Sequence, residues 1–143
     1  MKIEVKTRLI RHLTFLEGEL DGIAGVRGLS WEVYQTDPVQ RRNVERLVEN
    51  VVNASIDISR TIIDSEALPV PDTYREIVQS MSLVAGFDKD NCERMSHQVR
   101  LRNVISHQYL DIRWSSIKRF IDETEPLYRK FVGDVKRYLA ERL

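Results

Sequence analysis

The sequence predicts an all-α protein, folded as an antiparallel bundle of four to five main helices. Three observations predict it: apolar residues recur at three- and four-residue steps in the long segments, helix starts carry capping chemistry, and no stretch alternates with the period of a strand. At 143 residues and 42% apolar content, the chain is expected to form one domain over residues 1–143 around a single core.

Leu9, Leu13, Leu16, Leu20 and Ile23 step by four and three, so the first helix should run from about residue 2 to Ala24 and end at Gly25 and Gly28. Ser30 can cap a short turn whose Trp31 and Tyr34 cover a helix end. Asp37-Pro38-Val39-Gln40 supplies an N-cap acid, a proline at the first helical position and a capping-box glutamine, which together start a second long helix. Its apolar face, Val44, Leu47, Val48, Val51, Ser55, Ile58 and Ile62, is widened by Val52, Ile56 and Ile63. An arc that wide touches more than one neighbour, so the helix is either central or shared with a subunit interface.

Leu68-Pro69-Val70-Pro71 forces an extended break. Thr73-Tyr74-Arg75-Glu76 matches a capping box and opens a short helix with Tyr74, Ile77, Met81 and Val84 inward, closed by Gly86. Asp88 caps the next helix, which is expected to continue to about Leu110. The last helical region, from Asp111, carries Trp114, Ile117, Phe120, Ile121, Leu127, Phe131, Val135 and Tyr138, and Pro126 should bend or divide it.

The 22 basic and 22 acidic residues cancel, so any contact with nucleic acid must come from a local patch. Cys92 is the one cysteine, which excludes an internal disulfide and a multi-thiolate metal site and suggests a small buried residue. His12 and His97 lack companion ligands at metal spacing, so neither a metal nor another cofactor is expected. No apolar run approaches the roughly 20 residues that cross a bilayer, and Met1 to Lys6 lacks the apolar core of a leader; the expected location is the cytoplasm, with no membrane contact.

Chemistry concentrates in Arg102-Asn103-Val104-Ile105-Ser106-His107-Gln108-Tyr109, which groups a fixed cation, an imidazole and a phenol, a set suited to a phosphodiester. On one ideal helix Arg102 and Tyr109 lie nearly in line, two turns apart, while His107 sits about 140° round from Arg102. Convergence then requires the arginine to curl round the helix, or two copies of the motif to face one cleft. A homodimer is favoured, as the commonest assembly and as cover for the wide arc of the second helix.

Arg94, Arg100, Arg102, Arg113, Lys118 and Arg119 cluster around the motif, either as a basic rim for a phosphate backbone or as a solvated face answered by Asp88, Asp90, Glu93 and Asp111. Spacing alone also leaves open a structural role, with Arg102 paired to a surface carboxylate, His107 a satisfied polar group and Tyr109 a core aromatic. Asp57, within the apolar second helix, either faces the cleft or is a buried acid paired to an arginine or tyrosine.

Arg102 to Tyr109 resembles the Arg-x4-His-x-Tyr signature of the HEPN ribonuclease toxins, specifically the HepT type encoded beside a minimal nucleotidyltransferase (MNT) antitoxin. Arg11-His12-Leu13, Asp37-Pro38, Ala54-Ser55-Ile56-Asp57-Ile58, Pro71-Asp72-Thr73-Tyr74-Arg75-Glu76 and Arg102-Asn103 follow in family-like order across most of the chain. The resemblance implies a HEPN bundle that forms a homodimer with both motifs lining a cleft. It implies the toxin of a type VII toxin–antitoxin pair, a metal-independent endoribonuclease that cuts transfer or messenger RNA.

Within that frame the catalytic candidates are Arg102, Asn103, His107 and Tyr109. His107 would exchange protons, and Arg102 would bind the scissile phosphate and oppose the growing charge. Asn103 would orient His107, and a second proton carrier would be Tyr109 or the His107 of the other copy. Asp57 and Arg100 are candidate cleft support. The resemblance also makes Tyr109 the hydroxyl to which the MNT partner adds AMP from ATP, filling the cleft with charge and bulk. Two alternatives remain: a non-catalytic subunit that presents nucleotide or substrate to a nucleotidyltransferase, and a plain helical dimerisation module.

Overall fold

The structure of the protein, a computed structural model, describes residues 1–142; among them eight α-helices and one 3-10 turn occur, and no strand. The first helix, α1 (Ile3–Gly25), buries Leu9, Leu13, Leu16, Leu20 and Ile23, the five residues that predicted it. It lies antiparallel on α3 (Pro38–Ser65). At Gly22 a Cβ would stand 2.6 Å from Leu47 Cδ2, so the missing side chain lets the two helices close together. One turn away, Asn50 Nδ2 donates to Glu19 Oε2 at 3.1 Å and holds the same register.

Between them, α2 (Trp31–Thr36) is capped by Ser30, whose Oγ accepts from the Val33 amide at 3.2 Å. Asp37 Oδ1 accepts from the amides of Val39 and Gln40, at 3.0 and 3.2 Å, and Pro38 occupies the first turn of α3. That helix is the centre of the bundle, packed against α1 and α2 and against three helices that follow it in the chain. Val52, Ile56 and Ile63, which widen its apolar arc, are buried inside one chain. The arc is therefore covered without a second subunit, and it does not supply the ground for a dimer that the sequence suggested.

After the Leu68–Pro71 break, α4 (Tyr74–Gln79) starts at Thr73, whose Oγ1 accepts from the Glu76 amide at 3.2 Å, and runs into a 3-10 turn over Ser80–Leu83. Ile77, Met81 and Val84 are buried as expected. Tyr74 is not: it is 45% exposed, because it is the first residue of its helix and lies beyond the edge of the core. Gly86 takes φ +91°, a backbone region that side chains disfavour.

The helix expected from Asp88 to Leu110 is interrupted. Asp88 caps α5 (Lys89–Gln98), a tighter turn at Val99 and Arg100 follows, bonded to the third residue back rather than the fourth, and α6 (Leu101–His107) begins after it. Met95 and Leu101 would point about 120° apart on one ideal helix, yet both are buried. Breaking the helix lets each piece direct its own apolar residues inward. A second extended link precedes α7 (Leu110–Glu123), and Pro126 opens α8 (Glu125–Ala140), so the proline divides this region as expected. Buried apolar residues from every helix join one cluster. Among the described residues no helix is long and apolar enough to cross a membrane.

Candidate active site

A polar stripe interrupts the apolar surface of α3. Glu49, Asn53, Asp57 and Arg60 follow one another at steps of four, four and three, the spacing that puts them on one side of a helix. Along that side α6 packs across α3, and two hollows open where they meet. One, of about 220 Å³, is lined by Asn53, Ile56, Asp57, Arg60, Tyr74 and Arg102. The other, of about 230 Å³, is lined by Glu49, Asn53, Arg102, Asn103 and Ser106. Asn53 and Arg102 are common to both, so Arg102 stands on the ridge between them.

The Arg102 guanidinium carbon lies 4.5 Å from the centroid of the Tyr74 ring, within cation–π range, and that of Arg60 lies 5.6 Å from the same centroid. Arg102 is half-buried and forms no ion pair among the described residues, which removes the reading that it is tied to a surface carboxylate. Ser106 Oγ donates to the Arg102 carbonyl at 2.8 Å, within α6 itself.

His107 is the last residue of α6 and is exposed. Gln108 and Tyr109 are extended, at ψ 160° and 161°, so Tyr109 lies outside α6 and forms the N-cap position of α7. The expectation of Arg102 and Tyr109 in line on one helix is thereby corrected. Nor is Tyr109 a core aromatic, since it is 82% exposed. Neither His107 nor Tyr109 lines the hollows around Arg102.

Of the other candidates, Asn103 lines the second hollow and Asp57 the first. Asp57 is exposed and has no ion pair among the described residues, so the buried, paired acid is also corrected. Arg100 is exposed at the turn between α5 and α6, outside both linings. Sequence reading missed Glu49, Asn53, Arg60 and Tyr74. The first three left a signal in the four-residue steps of polar groups along an apolar helix; Tyr74 left none, because its approach to Arg102 joins two distant elements.

Half of the expected basic rim is committed elsewhere. Arg113 bonds Glu45 Oε2 through Nε and Nη2, at 2.9 and 2.6 Å, and the Tyr34 hydroxyl donates to the same oxygen. Arg94 pairs with Asp90 and Lys118 with Asp122, each at 3.1 Å. His97 is a surface residue beside Glu93 and Arg75. Cys92 is buried, and burial pushes its thiol up to about 12, which makes it unreactive. No group of histidine, cysteine and carboxylates able to hold a metal occurs among the described residues.

The fold, with an Arg-x4-His pair on a short helix packed against a long central one, is shared with solved HEPN toxins. The HEPN toxin of Shewanella oneidensis, solved in tri-AMPylated form with its MNT antitoxin, superposes with a TM-score of 0.78, at 17% identity, over 90% of this chain and 96% of that one. Two structures of the MntA–HpeT toxin–antitoxin superpose at 0.79 and 0.80, one a tyrosine-to-alanine mutant and the other carrying two aspartate-to-glutamate changes. Their identities are 16% and 17%, over 90% of this chain and 97% of each of those. Likeness at such identities establishes the fold. The family follows from the sequence: the Ribonuclease HepT-like family model matches residues 6–135, and the chain belongs to that family. No curated protein matches the sequence.

Proposed function

We propose that the chain is the toxin of a HEPN–MNT toxin–antitoxin pair, a metal-independent endoribonuclease of the cytoplasm that cuts transfer or messenger RNA. The observation that carries this reading is Arg102: half-buried, resting on Tyr74, without a carboxylate partner among the described residues, and five positions before an exposed histidine in a member of a ribonuclease family.

Cleavage of RNA requires the 2′-hydroxyl to lose a proton, the phosphorane charge to be opposed and the leaving 5′-oxygen to gain a proton. The planar fork of Arg102 suits the phosphoryl oxygens, and His107 suits the proton steps. His107 and Tyr109 stand outside the hollows of Arg102 in one chain, so the working site is read as a cleft between two copies that brings both motifs together. Asn103 and Asp57 border that cleft, and Arg100 extends its charge.

Tyr109 is proposed as the acceptor of AMP from the MNT partner. Its exposure leaves the hydroxyl open to a transferase, and the toxin in the Shewanella complex is itself tri-AMPylated. The added phosphates would face Arg102 in the cleft and exclude RNA.

Purified protein should cut RNA in the presence of a chelator, and His107→Ala and Arg102→Ala should each lower the rate by about a hundredfold or more. Variants that cut as fast as the parent would refute the enzyme reading.

A further inference from the structure

The motif accounts for Arg102, but not for why a second arginine and an open aromatic ring stand beside it. Arg60, exposed on α3, has no ion pair among the described residues, although carboxylates three positions before and four positions after it share its helix. Both guanidinium groups are measured to the same Tyr74 centroid, so their centres stand no more than about 10 Å apart, near the screening length of about 8 Å at physiological salt. Two cations held that close without an ion pair among the described residues repel one another, and an anion placed between them gains from both. Asp57 shares the hollow and offsets part of the charge without reaching ion-pair distance of either arginine.

The ligand chemistry follows from the shape. A volume of about 220 Å³ is below the ~300–1,000 Å³ of sites that enclose a whole small molecule, so the hollow suits one segment of a polymer. Unpaired guanidinium forks match a phosphodiester, the Asn53 amide offers both a donor and an acceptor, and the half-exposed ring favours single-stranded over duplex nucleic acid.

We propose that Arg60 and Tyr74, together with Arg102, form a subsite that grips the phosphodiester next to the one being cut, so that the protein recognises an extended single strand of RNA. Arg60 contacts the strand; Tyr74 is a positioning residue that steers both guanidinium groups through its ring. The proposal rests on the ribonuclease reading, but its test separates the two.

Binding of a short fluorescent single-stranded RNA is measured across a salt series in the His107→Ala background, which prevents cleavage. Arg60→Gln should weaken binding about fivefold and lower the slope of log affinity against log salt by about 0.7, the value for one lost phosphate contact on a single strand. Tyr74→Leu should weaken binding about threefold, while Tyr74→Phe, which keeps the ring, should match the parent. Lys136→Gln, on α8, removes one charge elsewhere and should leave the slope unchanged. With His107 restored, Arg60→Gln should raise KM and leave kcat close to the parent value.

An Arg60→Gln protein with parental affinity, slope and KM overturns the subsite while leaving the ribonuclease intact. Binding that depends on Arg60 in a parent that cuts no RNA keeps the subsite and overturns the ribonuclease. Failure of the parent to bind RNA overturns both.

Discussion

Two corners of the molecule each set an arginine against a tyrosine, and they put the pair to opposite uses. At the junction of α2, α3 and α7, Arg113 is 22% exposed, gives two hydrogen bonds to Glu45 and shares that carboxylate with the buried Tyr34, whose ring packs with those of Trp31 and Trp114. Burial, and then the Glu45 carboxylate, pushes the Tyr34 phenol well above its ordinary range, so it stays a neutral donor. Where α3 meets α6, Arg102 leans on Tyr74 with no carboxylate at ion-pair distance among the described residues. The difference is one acid at ion-pair distance. A guanidinium with its carboxylate is part of the scaffold, whereas one with only a ring keeps its fork available for a phosphate.

The sharpest break in that contrast is loss of function without loss of stability at one corner, and the reverse at the other. Arg102→Ala should abolish most cleavage and leave the unfolding midpoint near that of the parent. Glu45→Ala should lower stability by about 2–3 kcal/mol in denaturant titrations, since it strands a charged donor and a buried hydroxyl together, yet the folded fraction should still cut RNA.

The contrast is tested most directly by making Arg102 resemble Arg113. Asp57 and Glu49 each line one hollow without pairing with Arg102; Asn53→Asp adds a carboxylate at the position that borders both, and should cut activity about tenfold by occupying the guanidinium, with stability changed by less than about 0.5 kcal/mol. The smallest structural effect is expected at Tyr109. Because it is 82% exposed, Tyr109→Phe should change stability by less than about 0.5 kcal/mol, while intact-mass measurement after incubation with the MNT partner and ATP should show that AMP addition is lost.

Much of the bundle was legible because its signals are local. Ser30, Asp37, Thr73 and Asp88 each cap the helix they predicted, and the apolar steps of α1 and α3 mark the faces that are buried. The break between α5 and α6 was also written in the chain, as a shift of the apolar face between Met95 and Leu101, but a continuous run of helix-forming residues hid it. The candidate site was legible in part. The motif named Arg102 and Asn103, which line the hollows beside α3, whereas the placement of Tyr109 beyond the end of α6 depended on a break that periodicity did not reveal.

By itself the sequence determined most of the helices, their caps and the Arg102–Tyr109 motif, since each depends on neighbours close along the chain. Only the tertiary structure decided which of them meet. Arg60, Tyr74 and Arg102 come from three separate helices, and packing on α3 alone brings them together. The same packing gave Arg113 a carboxylate and left Arg102 without one, a distinction that turns on distance in space and that spacing along the chain does not encode.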